Sequence, residues 1–244
     1  MLVTRYMLYL VVLSGVSTLY GCKTVYVPNV INVPLLSRKN EVRASINANN
    51  LQGSFAATDH IGVIVNGQYQ SDSASSESTS AQTGSGGLVE TGVGYFAPIT
   101  SSLHAEIYGG AGYGHVRHKN WETTNGVRRD YRYSVSGAKF FLQPSVGFIS
   151  NLFDVALSTR LVALRPFGAS SENYPEAQLR NDKLFALDER LWGFVEPAVT
   201  IRAGYKMVKV FLQYGGSFKL NDAAISRDEK FVNIGLTGNF DLRP

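Results

Sequence analysis

Alternation of apolar and polar side chains over residues 88–110 is the feature that most constrains this chain. The stretch LVETGVGYFAPITSSLHAEIYGG places an apolar residue at nearly every second position on both sides of a turn at 98–101. Side chains of a β-strand point alternately to its two faces, so a period of two predicts a strand pair. Glu90, His104 and Glu106 stand among the positions between, which makes one face apolar and the other polar.

The same period recurs from Glu41 to the end of the chain and predicts an all-β fold of about ten strands, with eight as the alternative count. The abundance of aromatic residues and glycines, with only 17% charged residues, also favours strands over helices. The predicted strands are 41–49, 51–57, 61–71, 88–97, 102–116, 132–149, 154–165, 193–205, 207–218 and 230–242.

The predicted connections alternate in length along the chain. Tight turns alternate with longer polar segments, with the turn at Asn49 and Asn50 as the exception. The longest polar segment, 166–191, includes a predicted short helix. Outer-membrane β-barrels have short periplasmic turns, longer external loops and an even number of strands. The predicted tight turns are 58–60, 98–101, 150–153 and 206–207, and the predicted loops are 72–87, 117–131, 166–191 and 219–229.

The apolar face carries no charge, and the predicted strands are longer than the usual five or six residues of soluble proteins. Ten tilted residues cover about 25 Å, which is the height of the lipid-facing band of a membrane barrel. We therefore predict an up-and-down antiparallel transmembrane β-barrel. A soluble sandwich or barrel with its apolar face turned inward is the alternative that this alternation leaves open.

Aromatic residues at the strand ends predict two girdles, one at each membrane interface. The periplasmic girdle is predicted to hold Tyr95, Phe148, Phe153, Tyr205 and Phe240, and the outer girdle Tyr69, Tyr113, Tyr133, Trp192 and Phe231.

The polar face of the predicted barrel would form a charge network in the lumen. Its cations and anions are nearly balanced, and ten strands leave a lumen that such side chains can largely fill, so a closed interior is predicted rather than a pore. The network is predicted to contain Glu90, His104, Glu106, Lys139, Arg160, Glu196, Arg202 and Lys209.

The N-terminus predicts export. Arg5 precedes an apolar run that is too short to span a membrane, so residues 1–21 are predicted to be a signal peptide. Its last residues resemble a bacterial lipobox, which makes Cys22 the predicted lipidation site, carrying acyl chains such as palmitate. The alternative is an ordinary export signal with an incidental cysteine. Residues 22–40 are predicted to be a periplasmic tether, and residues 41–244 the β-barrel domain.

Several short motifs carry a resemblance to a known group. Tyr26, Pro28, Asn29 and the run 34–36 follow the lipobox, and strands such as GVGYF and GGAGYG come later. Together they resemble the small outer-membrane β-barrel lipoproteins of Bacteroidota-type bacteria. The resemblance implies a location in the bacterial outer membrane, and it brings no assigned reaction and no catalytic residue.

The expected role is structural, adhesive or that of a complex subunit, exerted through the external loops. The expected partners are outer-membrane lipid and other outer-membrane proteins. A narrow solute channel is one alternative, and an enzyme acting on lipid or surface polymer through His104 and Glu106, beside Ser102, is another. No catalytic residue, metal or cofactor is predicted, and a net charge of +4 without a basic run does not indicate nucleic acid.

Overall fold

The computed structural model describes residues 24–76, 80–124, 126–205, 207–222 and 225–242. The predicted signal peptide at 1–21 and the predicted lipidation site Cys22 lie outside these residues.

Ten antiparallel strands close into a barrel, which confirms the predicted all-β up-and-down fold and the count of ten. Strands β1 to β8 each pair with the next along the chain, β9 pairs with β11, and β11 pairs with β1. The two-residue strand β10 pairs only with β8. The strands are β1 (Glu41–Ile46), β2 (Asn50–Ala56), β3 (Ile61–Ser76), β4 (Ser80–Pro98), β5 (Leu103–Thr124), β6 (Val127–Ile149), β7 (Phe153–Glu172), β8 (Trp192–Tyr205), β9 (Val208–Gly216), β10 (Phe218–Lys219) and β11 (Lys230–Asp241).

Among the described residues, helical structure is confined to the connection between β7 and β8. It contains α1 (Glu176–Asn181), inside the region where a short helix was predicted, and a 3-10 helix at Leu187–Glu189. Over the described ranges, no helix has the length and apolar character needed to cross a membrane.

The two faces of the wall are inverted relative to a soluble protein. Val93 and Ile201 on the outer face are 57% and 46% exposed, whereas Lys139, Arg160 and Glu196 on the inner face have no exposed surface. Apolar side chains therefore point outward and charged side chains inward, as predicted for a membrane barrel and opposite to a soluble sandwich. This is the architecture of an outer-membrane-type β-barrel.

The structure confirms the outward orientation of one predicted aromatic girdle but not of the whole of the other. The periplasmic set points outward as predicted, with Tyr205 and Tyr95 among its exposed members. The prediction of the outer girdle is wrong for Tyr133, Trp192 and Phe231, because these side chains are buried inside the barrel. Tyr133 stands an even number of residues from the inward-pointing Lys139, and side chains at even separations share a face of a strand.

Two segments predicted as mobile loops continue as paired strands. β3 and β4 pair up to Ser76 and Ser80, across most of the predicted loop 72–87. β5 and β6 pair up to Thr124 and Val127, across the predicted loop 117–131. Backbone hydrogen bonds of an antiparallel pair need no apolar side chains, so polar composition alone did not reveal these strands. Both hairpins extend the barrel at the end opposite to the four predicted tight turns.

The connection 173–191 packs against this extension. The Tyr174 ring lies 5.5 Å from the Tyr131 ring, and the Tyr133 hydroxyl donates a 3.2 Å hydrogen bond to the Leu184 carbonyl. Burial raises the pKa of the Tyr174 hydroxyl well above its ordinary value, and its hydrogen bond to Asp182 adds to the effect. This connection therefore packs onto the long-loop end of the barrel, which we call the outer end.

Residues 24–37 run through the lumen, and we call this segment the plug. Val25 donates a hydrogen bond to the Ser226 carbonyl in the loop at the outer end. Thirteen residues later, Arg38 pairs with Asp241 at the short-turn end. The predicted periplasmic tether 22–40 is therefore wrong for the described part: this segment is extended, but it lies inside the barrel rather than leading up to it.

The wall has a gap shaped for one plug side chain, and filling it should destabilise the barrel. A Cβ atom at Gly147 would lie 2.6 Å from Leu35 Cδ1 and 3.0 Å from the Val155 carbonyl oxygen. Because Leu35 is fully buried and the carbonyl belongs to the wall, neither neighbour has free space. We expect Gly147→Ala to lower the free energy of unfolding by about 1–3 kcal/mol.

The measurement is the temperature at which purified protein in detergent loses its folded, fast-migrating gel band. Gly67→Ala is the matched control, since a Cβ there would meet nothing within 4 Å. Equal melting temperatures for the two variants would contradict the packing of Leu35 against this part of the wall.

Candidate functional site

The plug has no neighbouring strand along most of its length, yet wall side chains satisfy its backbone. The clearest case is Ile31, whose N–H donates to Gln213 Oε1 at 2.8 Å and whose carbonyl accepts from Gln213 Nε2 at 2.9 Å. A glutamine amide here makes the same pair of bonds that a neighbouring strand would make. Burying a peptide group without such partners is costly.

The same arrangement repeats along the lumen. The Val30 carbonyl accepts from Gln52 at 2.7 Å, and the Asn32 carbonyl accepts from Gln143 at 2.7 Å. Four further wall side chains bond plug backbone atoms: Arg202 donates to the Val33 carbonyl, Glu106 accepts from Leu35 N, His104 contacts the Leu36 carbonyl and Glu41 accepts from Ser37 N.

Plug side chains also join the polar groups of the wall. Asn29 donates a 2.9 Å hydrogen bond to Glu90, and Asn32 donates one of 2.9 Å to Asn66. The Tyr26 hydroxyl donates a 2.7 Å hydrogen bond to Glu196, and its ring stacks on Phe194 at 4.6 Å. All of these side chains are buried.

Leu35 and Leu36 hold the short-turn end of the plug, and both are completely buried. The backbone at Leu35 has a φ of 48°, in the left-handed region that L-residues seldom adopt. This bend directs Leu35 N to Glu106 Oε2 at 2.8 Å. We infer that the apolar contacts of the two leucines and this hydrogen bond maintain an unfavourable backbone conformation.

At mid-lumen the structure brings together three predicted residues of the charge network. Glu90 lies 2.7 Å from Lys139 Nζ and 3.4 Å from Arg160 Nη1, and none of the three has exposed side-chain surface. Arg160 also donates to Gln143 Oε1 at 2.7 and 3.1 Å. Glu196, the fourth predicted member on this level, bonds Tyr26, so it is tied to the plug.

A second cluster lies nearer the short-turn end and centres on Asp154, which the sequence analysis missed. Lys209 Nζ lies 2.6 Å from this carboxylate, and guanidinium nitrogens of Arg43 and Arg202 lie 3.8 and 3.9 Å from it. Asp154 stands six residues from Arg160, and this even spacing was a signal that it points inward. A cavity of about 400 Å³ opens beside the cluster.

The two residues considered for catalysis take part in holding the plug. His104 Nδ1 lies 3.2 Å from the Leu36 carbonyl, and Glu106 accepts from Leu35 N. Both side chains are buried. Their hydrogen bonds therefore go to adjacent residues of the plug backbone, which gives each a binding role inside the barrel.

The outer mouth of the lumen is formed by the start of the plug and the loop before β11. Tyr26 and Arg227 form an isolated parallel bridge, and the Thr24 hydroxyl lies 3.4 Å from Asp228 Oδ1. Burial raises the pKa of the Asp228 carboxyl above its ordinary value, and the hydrogen bond with Thr24 partly offsets that rise. A mainly apolar cavity of about 110 Å³ lies beside Val25 and Leu88.

No group of three or more His, Cys, Asp and Glu side chains in the part of the chain that the structure describes is arranged to hold a metal ion. The arrangement instead provides paired charges and hydrogen bonds around a peptide segment. Chemically, this lumen binds a chain, and the chain is its own N-terminal region.

Comparison with known proteins finds a weak structural similarity. No family model matches the chain, and no curated protein matches it. Among solved structures, the crystal structure of Acinetobacter baumannii CarO is similar with a TM-score of 0.28 and 10% sequence identity, over 82% of this chain and 96% of that one. A similarity of this size carries neither fold nor function across to this chain.

Removing one partner from the buried mid-lumen cluster should destabilise the protein far more than removing one partner from an exposed ion pair. Glu90→Gln leaves Lys139 and Arg160 without their shared anion in a site that has no exposed surface. Breaking a buried pair from one side costs about 3–5 kcal/mol, because an uncompensated charge stays buried. We expect a correspondingly large loss of thermal stability, measured by the temperature at which the folded gel band disappears.

Glu172→Gln is the matched control, because Glu172 and Arg132 form an exposed pair at 3.0 Å. Exposed pairs contribute about 0–1 kcal/mol, so this variant should melt close to the wild type. If Glu90→Gln melted there too, the cluster would not be part of the folded lumen.

Proposed function

We propose that the protein is an integral outer-membrane β-barrel with a closed lumen, which acts as a structural, adhesive or complex-forming component through its outer end. The observation that carries this proposal is the plug: residues 24–37 occupy the lumen and are bonded to the wall along their length. We assign the protein no reaction, and we propose lipidation at Cys22 after removal of residues 1–21.

The outward face supports the membrane location. Large apolar side chains of the wall stay exposed around the barrel, including Val89, Leu157, Val208 and Leu236. Contiguous apolar surface on this scale is unfavourable in water, whereas the hydrocarbon core of a membrane accepts it. Outer-membrane lipid is therefore the first proposed partner.

The closed lumen supports a role other than transport. Conduction requires a continuous water-filled path, and polar side chains lining a wide barrel normally provide one. In this barrel the same side chains bond the plug, and Leu35 and Leu36 pack inside the lumen without exposed surface, above the cavity at the short-turn end. We therefore assign a binding or structural role to the outer end, where other outer-membrane proteins are the second proposed partner.

The membrane location is tested by extraction. We expect the protein to remain in the membrane pellet after treatment with alkaline carbonate or urea, because its apolar band is solvated by lipid. Unheated samples should migrate faster on gels than boiled ones, as closed barrels do. Quantitative release into the supernatant would contradict the proposal and favour a peripheral protein.

The closed lumen is tested in planar bilayers. We expect no reproducible conductance steps from the purified wild-type protein, because the plug leaves no continuous path. The double variant Leu35→Ala with Leu36→Ala removes two fully buried side chains of the plug and should show intermittent conductance. Its gel migration serves to confirm that the wall is intact, and steady conductance by the wild type would contradict a closed lumen.

A further inference from the structure

The plug has a direction, and this direction constrains where the N-terminal residues emerge. Its C-terminal end lies among the tight turns: Asn40 donates to the Ala56 carbonyl, and Arg38 pairs with Asp241. Its N-terminal end lies at the outer end, where Val25 donates to the Ser226 carbonyl at 3.0 Å and Asp228 N donates to the Tyr26 carbonyl at 3.1 Å. The segment thus crosses the barrel from the outer end towards the first strand.

The plug shares the interior with buried side chains of the wall. Plug side chains at Asn29, Ile31 and Leu35 are buried against the wall, and the buried ion clusters occupy the levels beside them. A chain returning to the short-turn end through the lumen would have to displace these buried groups, and the other path runs outside the barrel. That path crosses hydrocarbon, where each unpaired backbone group costs several kcal/mol.

The distance to the predicted lipidation site is short. Cys22 precedes Thr24 by two residues, which reach at most about 7 Å in an extended chain. The lipid-facing band of a barrel is about 25 Å tall. Two residues therefore cannot carry the cysteine from the outer mouth to the opposite membrane face.

We propose that the mature N-terminus, with Cys22, is presented on the external side of the outer membrane. Acyl chains attached to Cys22 then enter the outer leaflet, beside the outer end of the barrel. This inference rests on the proposed outer-membrane location and on short turns facing the periplasm. It reverses the topology predicted for a periplasmic tether, in which the lipid would lie in the inner leaflet.

The test is labelling of engineered cysteines on intact cells with a membrane-impermeant maleimide. Three full-length variants are compared: Lys23→Cys beside the N-terminus, Arg128→Cys in the exposed β5–β6 hairpin at the outer end, and Asn151→Cys in the exposed turn before β7. The wild type measures the background from Cys22 itself, which does not react as a thiol once it carries a thioether-linked lipid.

We expect Lys23→Cys and Arg128→Cys to label on intact cells, and Asn151→Cys to label only after the outer membrane is permeabilised. Protection of Lys23→Cys on intact cells, with labelling after permeabilisation, would overturn the inference. Carbonate extraction of the same samples separates the two proposals. A retained protein with a protected Lys23→Cys contradicts the external N-terminus alone, whereas an extracted protein contradicts the membrane barrel.

Discussion

Backbone hydrogen bonding inside the lumen is the constraint on which the rest of this structure depends. An extended segment without a strand beside it needs a partner for each buried N–H and C=O group. The wall supplies these partners from side chains, and Gln213 alone satisfies both groups of Ile31. The polar inner face is therefore more than a lining: its amides and carboxylates replace the ladder that a neighbouring strand would provide.

The buried charges follow the same logic. A charge with no exposed surface is tolerated when opposite charges and hydrogen bonds surround it, and Glu90 has two cations and two asparagines as partners. One of these asparagines, Asn29, belongs to the plug. The wall and the plug are therefore parts of one electrostatic unit, and neither would keep its present arrangement if the other were removed.

Much of the wall could be predicted from sequence, because a strand's period of two directly encodes which side chains point outward and which point into the lumen. All eight residues predicted for the lumen network are buried inside. The plug was missed because PNVINVP has no period and its prolines indicate neither helix nor strand. The available signal was chemical: no charged residue stands between Val25 and Leu36, although a water-exposed tether is normally polar. The inward orientation of Asp154 and Tyr133 could have been predicted from strand parity alone.

The seam between β1 and β11 joins the first and last strands of the wall. The plug comes immediately before β1 and leads back through the interior to the opposite end. Once that seam has formed, the plug lies inside a closed wall. We infer that the N-terminal segment lies across the nascent sheet when its two edges meet, and that the wall folds around it.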